Sequence, residues 1–282
     1  MEPLRSYQLD EIEQSLKEGR FPFSGISQLG STEFHFRAPS RYLGVALHSG
    51  DAVRAELSDV MAVSPHDRFR EEDPYTERFI EDFPLQIIAH DSRFEYDLNC
   101  EQEQTIYSSD EKKWGLKVWN RELTEGEKRT TYSKFKEFHA ILDIVVELML
   151  EQDSPAVLFD IHSFCYQRER KINWFDDEMP EINLGIRYIN RHFFSPLIDC
   201  FLEGVSGTVI DGHPVRVVEN ELFPGGYLTR KYAQRQNRRV LVLAIEYKKI
   251  FMDEWTGDLY NDIFNVLKND FLHTKEQIVD LL

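Results

Sequence analysis

"AVLFDIH", residues 156–162, decides the fold of this chain. A short apolar run without alternation is the pattern of a strand buried on both faces. The run then ends on Asp160, Ile161 and His162, where chemistry begins. Similar runs lie at 41–48 ("RYLGVALH"), 85–91 ("LQIIAHD"), 207–212 ("GTVIDG") and 240–247 ("VLVLAIEY"). Three of these five are continuous rather than alternating.

Helical patterns separate the runs. Tyr132, Phe135, Phe138, Leu142, Val145 and Met149 recur at spacings of three and four, which predicts an amphipathic helix over about Thr131–Glu151. A short helix is expected up to about Gly19. Another is expected over 183–204, interrupted near Pro196 and ended by Gly204, and a third over 258–273. Residues 108–129 are polar with two tryptophans and read as a long surface connection. Strands alternating with long helices imply an α/β chain, with a mixed, mostly parallel sheet covered on both faces in three layers. No repeat or Gly/Ser linker divides the 282 residues, so one domain over 1–282 is expected.

Composition narrows the function classes. The chain has 33 Lys+Arg against 50 Asp+Glu, a net charge of −17, which argues against nucleic acid or an anionic membrane as partner. Three cysteines, Cys100, Cys165 and Cys200, give no disulfide framework and no thiol-rich metal site. The N-terminus is charged throughout and no apolar run approaches the roughly 20 residues of a membrane span. A soluble, cytoplasmic protein is expected.

Three apolar runs end on residues that bind metal or move protons. These are His48 after "YLGVAL", His162 after "AVLFDI" and Glu246 after "VLVLAI". Ligands in open α/β sheets bind beyond the carboxyl ends of the parallel strands, so the three residues are expected to converge. A strand-end histidine is also a common structural residue, and two of them, each followed by Ser, put the site reading level with the structural one. Asp160 shares a strand face with His162, and either holds its imidazole as a metal-ligand tautomer or caps a neighbouring helix. Glu246 is otherwise a solvated strand-end carboxylate.

"ALHSG", "DSRFEYDLN", "LFDIHSF", "NELFPGGYLTR" and "VLAIEYKKIFMDE" occur in the order and rough spacing found in N-formylglutamate amidohydrolases. The chain resembles that family over about 41–254. The resemblance implies a fold like that of zinc-dependent exopeptidases and cell-wall amidases. It implies a bacterial zinc hydrolase, with one Zn²⁺ per chain, that removes formate from N-formyl-L-glutamate in histidine degradation.

Carried over, the resemblance makes His48 and His162 zinc ligands and Glu246 the general base acting on zinc-bound water. Catalytic zinc commonly takes three protein ligands and leaves one position open. The third ligand is expected to be Asp73, with Asp51 as the alternative. Asp73 precedes Pro74 and reads equally as a helix N-cap.

Arg93 and Asn99 are expected on a small anionic amide substrate, with Tyr227 donating to the developing oxyanion. Arg93 reads alternatively as an ion-pair partner of Asp91 or Asp97. The family pattern D-L-N-R meets Cys100 in place of arginine here, which removes one expected carboxylate clamp. Arg168, Arg170 or Arg187 are candidates to compensate. The rival functions are a zinc peptidase or cell-wall amidase on the same fold, and a non-catalytic ligand-binding or regulatory module.

Overall fold

A computed structural model describes residues 4–110, 112–151, 154–167, 179–234 and 239–282. The chain divides into two compact units, 1–156 and 157–282. The first contains β1 (Ser6–Tyr7), α1 (Leu9–Lys17), β2 (Phe23–Ser27), β3 (Thr32–Phe36), β4 (Tyr42–Ala46), α2 (Ala55–Ser58) and α3 (Pro65–Glu71). After a 3-10 turn at Thr76–Phe79 come β5 (Leu85–Ala89), the hairpin β6 (Lys112–Lys113) and β7 (Leu116–Lys117), and α4 (Glu125–Leu150). β8 (Ala156–Phe164) begins on the last residue of the first unit and otherwise lies in the second. It is followed by β9 (Ile182–Gly185), α5 (Ser195–Ser206), the hairpin β10 (Val209–Ile210) and β11 (His213–Pro214), and β12 (Val217–Glu219). α6 (Tyr227–Ala233), β13 (Val240–Lys248) and α7 (Asn261–Asp280) complete it.

The chain is an α/β protein with a mixed sheet. Five strands come from the first unit in the order β1-β2-β3-β5-β4, and four from the second in the order β8-β13-β9-β12. β4 runs parallel to β5, while β3 is antiparallel to β2 and β5. β13 is antiparallel to β9, with Glu246 opposite Asn183, and β12 is parallel to β9.

β8 is buried at every position. β13 is buried everywhere except at Glu246, which is half-buried. Continuous apolar runs therefore mark strands with no solvent face, as their lack of alternation implied.

α4 begins seven residues before its apolar stripe does. Thr124 accepts from the Glu127 N–H at 3.3 Å, and the Glu127 carboxylate accepts from the Thr124 N–H at 2.6 Å. That reciprocal cap, with a polar first turn, extends the helix beyond what hydrophobic spacing reveals. Phe135, Phe138, Leu142, Val145 and Met149 form its buried side as expected.

Residues 183–204 are not one helix. "INLG" is the strand β9, a turn follows, and α5 starts at Ser195 with Pro196 in its first turn. Proline there begins a helix rather than interrupting it, because a first-turn N–H has no intrahelical partner. Gly204 lies inside α5, where a Cβ would come within 2.4 Å of Thr274 of α7. It serves close helix packing, and the helix ends at Gly207.

"GTVIDG" forms the small β10–β11 hairpin, outside the main sheet. The segment 108–129 is also more than a surface connection. Val118, Trp119 and Leu123 are buried with Leu57, Met61 and Phe94 in a second core of the first unit.

Candidate functional site

In the first unit the site is built around His48, two residues beyond β4. Its side chain is 1% exposed. Nε2 lies 2.9 Å from Asp97 Oδ1, and Nδ1 lies 3.4 Å from Asp73 Oδ2. The Asp73 N–H donates to the His48 carbonyl at 2.9 Å, which fixes the two backbones together. Gly50 lets this segment run close to β5, since a Cβ there would sit 2.3 Å from the His90 carbonyl.

Asp97 is the hub. It receives Arg93 Nη2 at 3.0 Å, the Tyr107 hydroxyl at 2.5 Å and the Asn99 N–H at 2.8 Å, besides His48. Burial works against its charge, but Arg93, His48 and Tyr107 together hold the carboxyl well below the usual range. Burial and the adjacent Asp97 charge push the Tyr107 hydroxyl well up. Burial likewise pushes the Cys100 thiol up to about 12, reinforced by Asp97. Cys100 is therefore a thiol, not a nucleophilic thiolate, and its Sγ donates to the Asp97 carbonyl at 3.2 Å.

Arg93 reaches Asp97 and lies 3.9 Å from Asp73, with its guanidinium stacked 4.6 Å above the Trp114 ring. Burial opposes its charge, but Asp97, Tyr107 and Asp73 raise its pKa further. The ion pair with Asp97 anticipated from sequence is present. Asn99 is half-buried and gives its backbone N–H to the same carboxylate.

Asp73 is 1% exposed and faces His48. It does not cap a helix. The following 3-10 turn takes Tyr75 as its N-cap, in the left-handed region at φ 69°, and the Thr76 hydroxyl donates to the Asp73 carbonyl at 2.7 Å. Asp51 is exposed.

A neutral imidazole has one N–H. If Asp97 takes it, the second nitrogen turns a lone pair toward the Asp73 carboxylate, an arrangement that favours a cation between them. Two buried carboxylates, Asp73 and Asp97, face this ring, and the Arg93 guanidinium lies against both. The donor set fits a divalent metal ion.

In the second unit β8 carries Asp160 and His162. Both are buried, and His162 Nε2 lies 3.0 Å from Asp160 Oδ1, as their shared strand face required. Past the strand, the buried Glu254 carboxylate accepts the N–H groups of Tyr166 and Gln167 at 2.8 and 3.2 Å, which pins the strand exit. Tyr227 is half-buried at the start of α6, after the Phe223–Gly226 turn. Arg187 is exposed, and Arg168 and Arg170 lie outside the described residues.

The buried ring of His48 and carboxylate of Asp73 in the first unit, and the buried ring of His162 in the second, are side chains of the kind that hold a metal ion. Sequence reasoning missed Asp97 as the partner of His48, and Tyr107 entirely. The one signal for Asp97 was its place in "DLN", two residues before Asn99. Nothing in the sequence marks Tyr107.

Buried histidines beside buried carboxylates at strand ends are groups that bind metal or move protons, as hydrolases require. Residues 40–252 match the family model of N-formylglutamate amidohydrolase. The chain belongs to that family, and is an amidohydrolase.

Its fold is similar to the crystal structure of N-formylglutamate amidohydrolase from Ralstonia eutropha JMP134. The TM-score is 0.71 at 19% identity, over 89% of this chain and 97% of that one. A gene product from Agrobacterium tumefaciens is similar at TM-score 0.61 and 17% identity, covering 93% and 98%. No curated protein matches the chain. Among the described residues no helix is long and apolar enough to cross a membrane.

Proposed function

We propose that the chain is a metal-dependent amidohydrolase that cleaves a small carboxylated N-acyl amide such as N-formyl-L-glutamate. The site would work as a single metallohydrolase domain, with one Zn²⁺ held by His48, Asp73 and His162. The observation that carries this reading is His48 itself, a buried imidazole with a carboxylate at each nitrogen. The ion, when bound, would act as a Lewis acid and make water nucleophilic near neutral pH.

The chain's own groups do the rest. Asp97 holds Nε2 of His48 and so selects the tautomer that presents Nδ1. Asp160 lies 3.0 Å from His162 Nε2 without hydrogen-bond alignment, and places a negative charge beside that ring. Glu246, the half-buried position of an otherwise buried strand, takes the proton of the attacking water and delivers it to the leaving amine. Arg93, Asn99 and Tyr227 are the substrate contacts, with Arg93 also bound to Asp97. A cytoplasmic place in histidine degradation follows if formylglutamate is the substrate.

One observation favours a second substrate class. Cys100, where the family pattern has arginine, spends its side chain on the Asp97 carbonyl and offers no charge to a carboxylate. A peptide or cell-wall amide would need no such clamp.

The test is elemental analysis beside turnover. Near-stoichiometric zinc is expected in the wild type and little in His162→Ala. Glu246→Gln should keep the metal and lose roughly 10²–10⁴-fold in kcat, the usual contribution of a general base. No metal in the wild type after zinc is supplied would overturn the reading. Comparing N-formyl-L-glutamate with N-acyl dipeptides then decides between the substrate classes.

A further inference from the structure

Asn183 lies at 0% exposure in the middle of β9, where a strand normally places an apolar side chain. An amide in such a place costs free energy unless all its polar atoms are bonded. Here they are bonded to one target. Nδ2 donates to the Phe223 carbonyl at 2.8 Å, and Oδ1 accepts the Leu222 N–H at 2.9 Å and the Phe223 N–H at 3.4 Å. The side chain thus acts as a short extra strand for the turn that precedes α6.

β9 and the two residues after it also hold the segment from Asn220 to Gly225. Asn220 donates its N–H to the Leu184 carbonyl at 2.9 Å and accepts the Ile186 N–H at 2.8 Å, while the Arg187 N–H reaches the Pro224 carbonyl at 3.0 Å. At Gly185 the contact is so close that a Cβ would stand 2.5 Å from Gly225 N. Gly225 has φ +101°, a conformation that only glycine adopts without strain.

The register says which face the turn covers. Asn183 is directly opposite Glu246 in the antiparallel β9–β13 pair, and Gly185 is opposite Ala244. Directly opposed residues project from the same face of the sheet, with Cβ atoms about 4.5–5.5 Å apart. The Leu222–Gly226 turn is therefore tied down on the face that carries Glu246.

We propose that Asn183 is a positioning residue of the hydrolytic site. It fixes the 222–226 turn beside Glu246, so that the turn forms a wall of the space in which this carboxylate works. The inference rests on the reading of Glu246 as the general base. Asn183 touches no reacting atom in this account and acts only through the turn.

The experiment compares wild type, Asn183→Ala and Gly225→Ala by amide hydrogen exchange and by steady-state kinetics on N-formyl-L-glutamate, with kcat expressed per folded molecule. Gly225→Ala displaces the turn mainly through Thr229 of α6, 2.5 Å from the added Cβ, with the Gly185 carbonyl next at 3.0 Å, and it leaves Asn183 in place, so it decides the question if Asn183→Ala does not fold. In both variants the Leu222 and Phe223 amides should exchange at least about tenfold faster while β13 stays protected. kcat should fall by about tenfold or more, with KM within about threefold, because misplaced groups near the reacting centre cost turnover rather than binding. Unchanged exchange at 222–223 would overturn the proposal, and so would faster exchange with kcat intact. An inactive wild type, or a fully active Glu246→Gln, would instead remove the reading of the base. The exchange data would then still decide whether Asn183 holds the turn.

Discussion

The two histidines that follow apolar strands are supported in opposite ways. His162 finds its carboxylate two positions back on its own strand, at Asp160. His48 depends on Asp97, 49 positions away, and Asp97 in turn depends on Arg93, Tyr107 and the Asn99 N–H. One station is local and follows from strand geometry alone. The other is a network closed only by tertiary folding. Local support can fail without harm to the fold, whereas a buried network of charges carries stability as well as orientation.

Substitutions can break that contrast, and Asp97→Asn should have the largest effect. It leaves the guanidinium of Arg93 without its main counter-charge, a loss of about 3 kcal/mol or more when one partner of a buried pair goes. Urea denaturation of the metal-free protein measures it. Tyr107→Phe should follow, at about 2 kcal/mol, because it removes a hydrogen bond to a charged acceptor while leaving the ring in place. Asp160→Asn should change stability by less than about 1 kcal/mol, since it removes a buried charge at constant shape. It should still weaken metal binding, because it removes the negative charge 3.0 Å from the His162 ring. Competition with a chelator reads this directly. Equal destabilisation by Asp97→Asn and Asp160→Asn would show that the two stations do not differ.

The smallest effect lies away from both. Glu33 is held at about 2, first by its hydrogen bond to His35 and then by that to His90. Its folded value is below its ordinary one, so its stabilising contribution is complete above about pH 4.5 and fades as pH falls through about 2. Glu33→Gln should therefore lower Tm slightly at pH 6 and show no deficit near pH 2. Thermal melts across that range test the sign.

The same contrast explains what was legible in the sequence. Strands without a solvent face declare themselves as unbroken apolar runs, so β4, β5, β8 and β13 were visible, as were the histidines and Glu246 at their ends. Asp160 was visible because alternation along one strand is a local rule. β9 was not, because its "INLG" core is short and merges with "IRYINRHFF" into a helix-like pattern. Pro196 misled for a related reason, since only the true start of α5 tells a first-turn proline from a breaking one. Asp97 and Tyr107 required knowledge of which distant side chains meet, and Asn183 looked like an ordinary polar residue until its register with Glu246 was known.

The stacking of Arg93 on Trp114 has an optical consequence. Trp114 sits at φ 51° in the β6–β7 hairpin, with Phe94 and Tyr107 edge-on to its ring at 5.5 and 6.1 Å and a guanidinium 4.6 Å above it. Indole emission responds to charge held over the ring, and this charge is tied to Asp97 and lies near Asp73. The hairpin thus gives the protein a native fluorophore wired to the carboxylates around His48. On the metal-dependent reading, the emission of Trp114 should shift as the ion binds, with Trp114→Phe separating its signal from those of the other tryptophans.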